Sequence, residues 1–232
     1  MRITVIGASG LIGSKVVALL EDQGHDVVAA SRSTGLDVLI GDGLADALAG
    51  ADALVDVTNA PDFEADAVMR FFTTAATRLT GAAREAGVGH YVVLSIVGVE
   101  GLPDSPYMRA KVAQEVIIRG SGVPYTIVRA TQFVEFAGAI VDSMLSGVEV
   151  RVPDALIQPV PADEAAAAVA RAATSDAIDD VVLVGGPRKI TFEQLARDVL
   201  AERGDTSSRV VVDPAARYFG AALATDSLVT PD

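Results

Sequence analysis

Short, almost unbroken apolar runs alternate along this chain with stretches in which apolar residues recur every three or four positions. The runs cover residues 2–6, 26–30, 38–40, 53–57, 91–94, 125–128 and 181–184. Continuous rather than alternating apolarity marks strands covered on both faces, as in a parallel sheet. Residues 11–23, 62–85 and 111–119 carry the helical period, and Gly24, Gly87 and Gly120 stand where each should stop. Strand and helix in this alternation predict an α/β fold, a doubly wound parallel sheet. Beyond residue 128 the pattern loosens. Residues 133–145 read as a helix, 148–152 as a short strand, and 164–173 and 191–202 as helices, with Thr191 and Gln194 forming a capping box. No linker or repeat divides the chain. The expectation is one domain spanning 1–232, in which residues from about 133 onward add a small C-terminal substrate lobe and the last sheet strand. The tail from Asp213 is Ala-rich and ends polar, so its last residues are expected to be disordered.

Composition narrows the function. A net charge of −13 repels phosphate backbones and argues against nucleic-acid binding. With no cysteine, disulfides and thiolate chemistry are excluded. The two histidines, His25 and His90, fall between predicted elements and read as surface residues, and no His/Asp/Glu cluster suggests a metal. No signal peptide and no apolar run of membrane length are evident, so the expected setting is the cytoplasm, without membrane contact. Self-association of the chain is compatible with all of this.

The first strand runs into Gly7-Ala8-Ser9-Gly10-Leu11-Ile12-Gly13, and the first helix follows. In that context the glycines have distinct tasks. Gly7 permits a tight turn, Gly10 lets backbone approach a pyrophosphate, and Gly13 lets helix and strand pack closely. The helix N-terminus offers free N–H groups and a partial positive charge to the phosphates, with Ser9, Leu11 and Ile12 beside them.

The spacing G-x-x-G-x-x-G resembles that of the extended and atypical short-chain dehydrogenases/reductases, whose fold is Rossmann-like. "VTNAP" resembles that superfamily's nicotinamide-side loop, "VVLSIVG" the strand carrying its serine, and "YMRAK" its Y-x-x-x-K pair. "GVPYTIVRATQFVEF" and "IQPVPADEAAAAVARA" are similar to the NmrA-like, NAD(P)H-binding branch. The resemblance covers most of the chain. It implies that Thr58 and Asn59, and Thr131, Gln132 and Phe133, lie beside the nicotinamide, and that Asp42 and Gly43 belong to the adenine-side loop. It also implies that Ser95 polarises a substrate carbonyl.

An NAD-type site places an acid at the end of the second strand to bind the ribose 2′-hydroxyl. This chain has Ser31-Arg32-Ser33 there. Two hydroxyls flanking a guanidinium suit a 2′-phosphate, so NADP(H) is expected in preference to NAD(H). Tyr107 and Lys111 lie four residues apart and share a helix face if the helix has begun. A phenol with a pKa near 10 needs help at neutral pH, and the Lys111 ammonium together with the nicotinamide charge is expected to lower it. Tyr107 then donates a proton as hydride arrives, while Lys111 also holds the nicotinamide ribose. Asn59 is the chain's only asparagine, so the helix over 62–85 lacks the relay asparagine found in many relatives. Phe133 and Phe136 read as an apolar substrate wall. The expected function is NADPH-dependent reduction of a small apolar carbonyl or quinone. A non-catalytic NADP(H) sensor and a sugar-nucleotide epimerase or dehydratase are the alternatives.

Overall fold

The structure, a computed structural model, describes residues 1–231. Its strands are β1 Arg2–Ile6, β2 Asp26–Ala30, β3 Ala53–Asp56, β4 His90–Ile96, β5 Tyr125–Ala130, β6 Leu145–Ser146, β7 Glu149–Val152, β8 Leu156–Ile157, β9 Asp180–Val184, β10 Ile190–Thr191 and β11 Arg209–Val212. Its α-helices are α1 Leu11–Asp22, α2 Leu44–Leu48, α3 Ala65–Ala86, α4 Pro106–Arg119, α5 Ala137–Ser143, α6 Ala162–Ala173 and α7 Phe192–Glu202.

Six strands form the central sheet in the order β2-β1-β3-β4-β5-β9, every pair parallel. Both faces are covered, which accounts for the unbroken apolar runs. Ile3, Val5 and Val55 pack with Val16 and Leu20 of α1 and with Ala165, Ala166 and Val169 of α6. Ile6, Leu54, Tyr91 and Val93 pack on the opposite face with Leu48 of α2, Leu79 and Ala83 of α3, and Ile118 of α4. A third core builds the C-terminal lobe from Val150, Val152, Ile157, Phe192, Leu195 and Leu228. There β11 and β6 flank β7, and β8 pairs with β10.

Several expectations need correction. The strand expected over 38–40 is a turn, so β2 is the sheet edge. The Asp37 carboxylate accepts from the Leu39 N–H at 2.7 Å, and Gly41 and Gly43 take positive φ; these bend the chain before it can pair. The tail is folded across the lobe. Tyr218 and Leu228 are buried, the Leu156 N–H donates to the Thr225 carbonyl at 2.7 Å, and the Thr230 N–H donates to Gln158 Oε1 at 2.9 Å. His90 opens β4 in the interior, its ring bonded to Thr126 Oγ1 and the Ser175 carbonyl. The capping box at Thr191 is half made: Thr191 Oγ1 accepts from the Gln194 N–H, but the Gln194 amide donates to Asp198. Helix α4 begins earlier than its apolar period indicates, because Pro106 stands at its first position and Ser105 caps it. That extra turn carries Tyr107.

Candidate active site

A cleft of about 690 Å³ opens at the carboxyl ends of the central strands, lined by the glycine turn, the loops after β2, β3 and β5, the start of α4, helix α5 and the tail. Ligands of doubly wound sheets bind at this edge.

At one end, Gly7 takes φ +89°, and a Cβ there would stand 2.9 Å from the Val57 carbonyl oxygen. Gly10 bonds back to the Gly7 carbonyl at 3.0 Å and starts α1. No side chain caps α1 and no acid stands in its first turn, so its N-terminal amides and dipole are left open to an anion. Gly7, Ser9, Gly10, Leu11 and Ile12 line the cleft. Gly13 is packed behind it: a Cβ there would collide with the Gly7 carbonyl, so this glycine sets the distance between α1 and the turn. A bare, uncapped N-terminus over a turn that no side chain fills fits a dinucleotide pyrophosphate.

Beside it, Ser31 and Arg32 line the cleft. The Arg32 guanidinium is exposed, and among the described residues it makes no hydrogen bond or ion pair, so it is available to a phosphate. Ser33 does not line the cleft; its hydroxyl is bonded to that of Ser31 at 2.7 Å. Asp42 and Gly43 lie off the cleft as well, contrary to expectation. Gly43 is the N-cap of α2, and this part of the cleft wall is made by Asp37, Val38 and Leu39, which the turn at 38–40 brings forward.

At the other end, Tyr107, Lys111, Ser95, Thr58, Asn59, Thr131, Gln132 and Phe133 all line the cleft. The Tyr107 hydroxyl donates to Asn59 Oδ1 at 2.9 Å. The only asparagine of the chain, absent from α3, therefore reaches the phenol from the loop after β3. Burial among Phe63, Phe72 and Phe219 pushes the Tyr107 phenol up to about 12. Lys111 does not offset this in the coenzyme-free chain, because its ammonium is engaged elsewhere. Its ammonium is buried and donates to the Leu94 carbonyl at 2.8 Å and to Gln114 Oε1, and it lies 4.6 Å from the centre of the Phe72 ring. Burial lowers Lys111 to about 8 against the opposing charges of Asp56 and Glu115.

Ser95 is 3% exposed, and its hydroxyl donates to Glu115 Oε1 at 2.5 Å. The proton expected to polarise a substrate carbonyl is thus already given to a carboxylate. Thr131 likewise donates to the Gln158 carbonyl, and the Thr58 N–H and hydroxyl both donate to Asp56 Oδ1.

Sequence reading missed the layer beneath. Asp56 is 1% exposed and also accepts from the Tyr91 hydroxyl at 3.0 Å and Gln114 Nε2 at 2.9 Å. Gln114 thereby links Asp56 to Lys111. Glu115 holds Arg129 through two bonds, of 2.9 and 2.6 Å. The available signals were a carboxylate inside the apolar run 53–57, at Asp56, and a guanidinium directly after the run 125–128, at Arg129.

The family described as NAD(P)H-binding matches residues 7–176. A reductase of (4-alkanoyl-5-oxo-2,5-dihydrofuran-3-yl)methyl phosphate from Streptomyces griseus is 34% identical over 209 residues, which are 83% of this chain and 70% of that one. The photosystem II assembly factor Ycf39 of Synechocystis is 26% identical over 149 residues, 58% of this chain and 46% of its own length, so the chain spans less than half of that relative. Among solved structures, MoeE5 in complex with UDP-glucose and NAD superposes with a TM-score of 0.75 at 21% identity, over 95% of this chain and 87% of that one. By its matched domain, its glycine turn and its relatives, the chain belongs to the NAD(P)H-binding family, within the extended, NmrA-like short-chain dehydrogenases/reductases.

Proposed function

We propose that this NAD(P)H-binding oxidoreductase takes NADPH as its coenzyme and reduces the carbonyl group of a small apolar aldehyde, ketone or quinone, with Tyr107 as the proton donor. The observation that carries the reading is the placement of the Tyr107 hydroxyl, held by Asn59 in the same cleft that the open N-terminus of α1 enters. The coenzyme, when bound, supplies the hydride. The chain's own residues do the rest. The amides of α1 hold the pyrophosphate, Arg32 and Ser31 hold the 2′-phosphate, and the buried Lys111 ammonium lies beneath the ribose side of the cleft.

The Tyr107 phenol, at about 12 by burial, carries its proton at neutral pH and is a weak acid until a bound coenzyme and a substrate oxygen stand beside it. Asn59 fixes the direction of the phenol. The Streptomyces relative, whose name describes reduction of an oxo-substituted ring, supports a carbonyl-bearing substrate. Purified protein is expected to consume NADPH in the presence of an aldehyde or quinone, and Tyr107→Phe to lose about a hundredfold or more in kcat while still binding NADPH. Unchanged turnover in Tyr107→Phe removes the phenol from the chemistry. Tight NADPH binding without turnover across carbonyl compounds favours the sensor reading, to which the likeness to an assembly factor lends support.

A further inference from the structure

Two features of the cleft have no part in the carbonyl-reductase reading above. The first is a group of aromatic rings around Tyr107. Phe63, from the loop after β3, lies 5.5 Å from the Tyr107 ring, and Phe219, from the tail, lies 6.1 Å from it. The two phenylalanines are 6.3 Å from one another, and both stay about half exposed at the cleft. Phe219 also takes φ +47°, a backbone conformation that costs a bulky L-residue energy and is tolerated where the surroundings impose it. The chain therefore holds an exposed ring in an unfavourable conformation at the mouth of its own cleft.

The second feature is Gln132. It lines the cleft and is 8% exposed, yet neither its amide nitrogen nor its amide oxygen has a partner. Among the described residues it is the one side chain whose polar atoms are all buried and unpaired. Unpaired buried amides are rare because each lost hydrogen bond is costly. The neighbouring polar side chains cannot relieve it, being committed elsewhere: Thr131 to Gln158, Ser95 to Glu115 and Tyr107 to Asn59.

We propose that the substrate is a planar ring compound whose ring packs against Phe63 and Phe219 beside Tyr107, and whose second polar group, remote from the reacting carbonyl, pairs with the side-chain amide of Gln132. This rests on the carbonyl-reductase reading and supplies its substrate class. Ring stacking selects aromatic over alkyl carbonyl compounds, and the amide, offering both a donor and an acceptor, selects a hydroxyl or second carbonyl over a methyl group.

The test uses the full chain and three aldehydes of similar size: meta-hydroxybenzaldehyde, meta-tolualdehyde and heptanal. NADPH oxidation is expected to give kcat/KM values falling in that order. In the double variant Phe63→Leu and Phe219→Leu, the preference for tolualdehyde over heptanal is expected to fall by about five- to tenfold. In Gln132→Leu, the preference for the hydroxyl over the methyl compound is expected to fall about tenfold. The same variant should keep its NADPH dissociation constant and resist urea at least as well as the parent, because an apolar side chain replaces an unpaired amide. Heptanal reduced as fast as tolualdehyde overturns the ring site. A Gln132→Leu variant that loosens NADPH assigns the amide to the coenzyme, and one that weakens the fold assigns it to the protein interior; either overturns its substrate role. If none of the three is reduced, calorimetry of each aldehyde with NADP⁺-saturated protein separates the two ideas. Binding in the same order, lost in the variants, keeps the ring site and discards the reductase reading; no binding discards the ring site.

Discussion

Lys111 carries a prediction whose size follows from its surroundings. The ammonium is 3% exposed and is lowered from 10.5 to about 8, chiefly by burial. The folded protein therefore releases this proton more readily than the unfolded chain. Between those two values the unfolded state holds the proton and the folded state does not, so stability rises with pH through that window. A displacement of this size corresponds to about 3 kcal/mol at 1.36 kcal/mol per pH unit. About 2 kcal/mol of it should be regained between about pH 7 and about pH 9.5. Urea unfolding of the parent and of Lys111→Met at several pH values checks this. The raised phenols Tyr91, Tyr107 and Tyr218 are present in both proteins, so the difference between the two curves isolates the lysine. Removing the ammonium also strips Leu94 O and Gln114 Oε1 of their donor, which offsets the absolute stability of the variant but not its slope with pH. The parent should therefore gain on the variant as pH rises. Parallel curves would show that the ammonium is as well solvated as in the unfolded chain, and the burial argument would fail.

Three further outcomes follow from the geometry. Arg32→Ala should weaken NADPH by about ten- to a hundredfold and leave NADH within about twofold, measured by titration of each coenzyme, since only NADPH carries the 2′-phosphate assigned to the guanidinium in the proposed function. Gly13→Ala places a methyl against the Gly7 carbonyl and Ala8, and should lower urea stability by about 2 kcal/mol or more while loosening both coenzymes. Glu115→Ala leaves Arg129, whose side chain is 11% exposed, with one solvent-facing partner, Glu100, and takes the acceptor from Ser95. Removal of one member of a buried pair predicts a loss of about 3–5 kcal/mol in the same assay, and a smaller loss when Arg129 and Glu115 are replaced together.

The glycine turn could be read from the chain because its requirements are local. A positive φ at Gly7 and the absence of a side chain at Gly13 are properties of single residues next to a strand and a helix, and the spacing reports both. The Tyr107–Lys111 pair was visible for the same reason, being one helical turn apart. Asp56 and Glu115 were not, since Asp56 meets Gln114 and Tyr91 from 58 and 35 residues away and Glu115 meets Arg129 from 14, and no period in the sequence joins them. Ser95 shows the opposite failure. Its place at the end of a strand was legible, but the direction of its hydroxyl depended on Glu115 standing opposite on α4. The run at 38–40 looked like a strand because it is apolar, whereas Asp37, Gly41 and Gly43 turned it into a wall of the cleft.

By itself, then, the order of residues determined a parallel sheet covered on both faces, a glycine turn opening α1 and a guanidinium at the end of β2 in place of an acid, because each depends on neighbours within a few positions. Only the tertiary structure decided that the phenol is ringed by Phe63, Phe72 and Phe219, that the lysine points at a carbonyl of β4, that Asn59 meets Tyr107, and that Phe219 and Gln132 line the same cleft. Those outcomes depend on which groups lose water together and which donors meet acceptors across the sheet, and such pairings exist only once distant segments are packed.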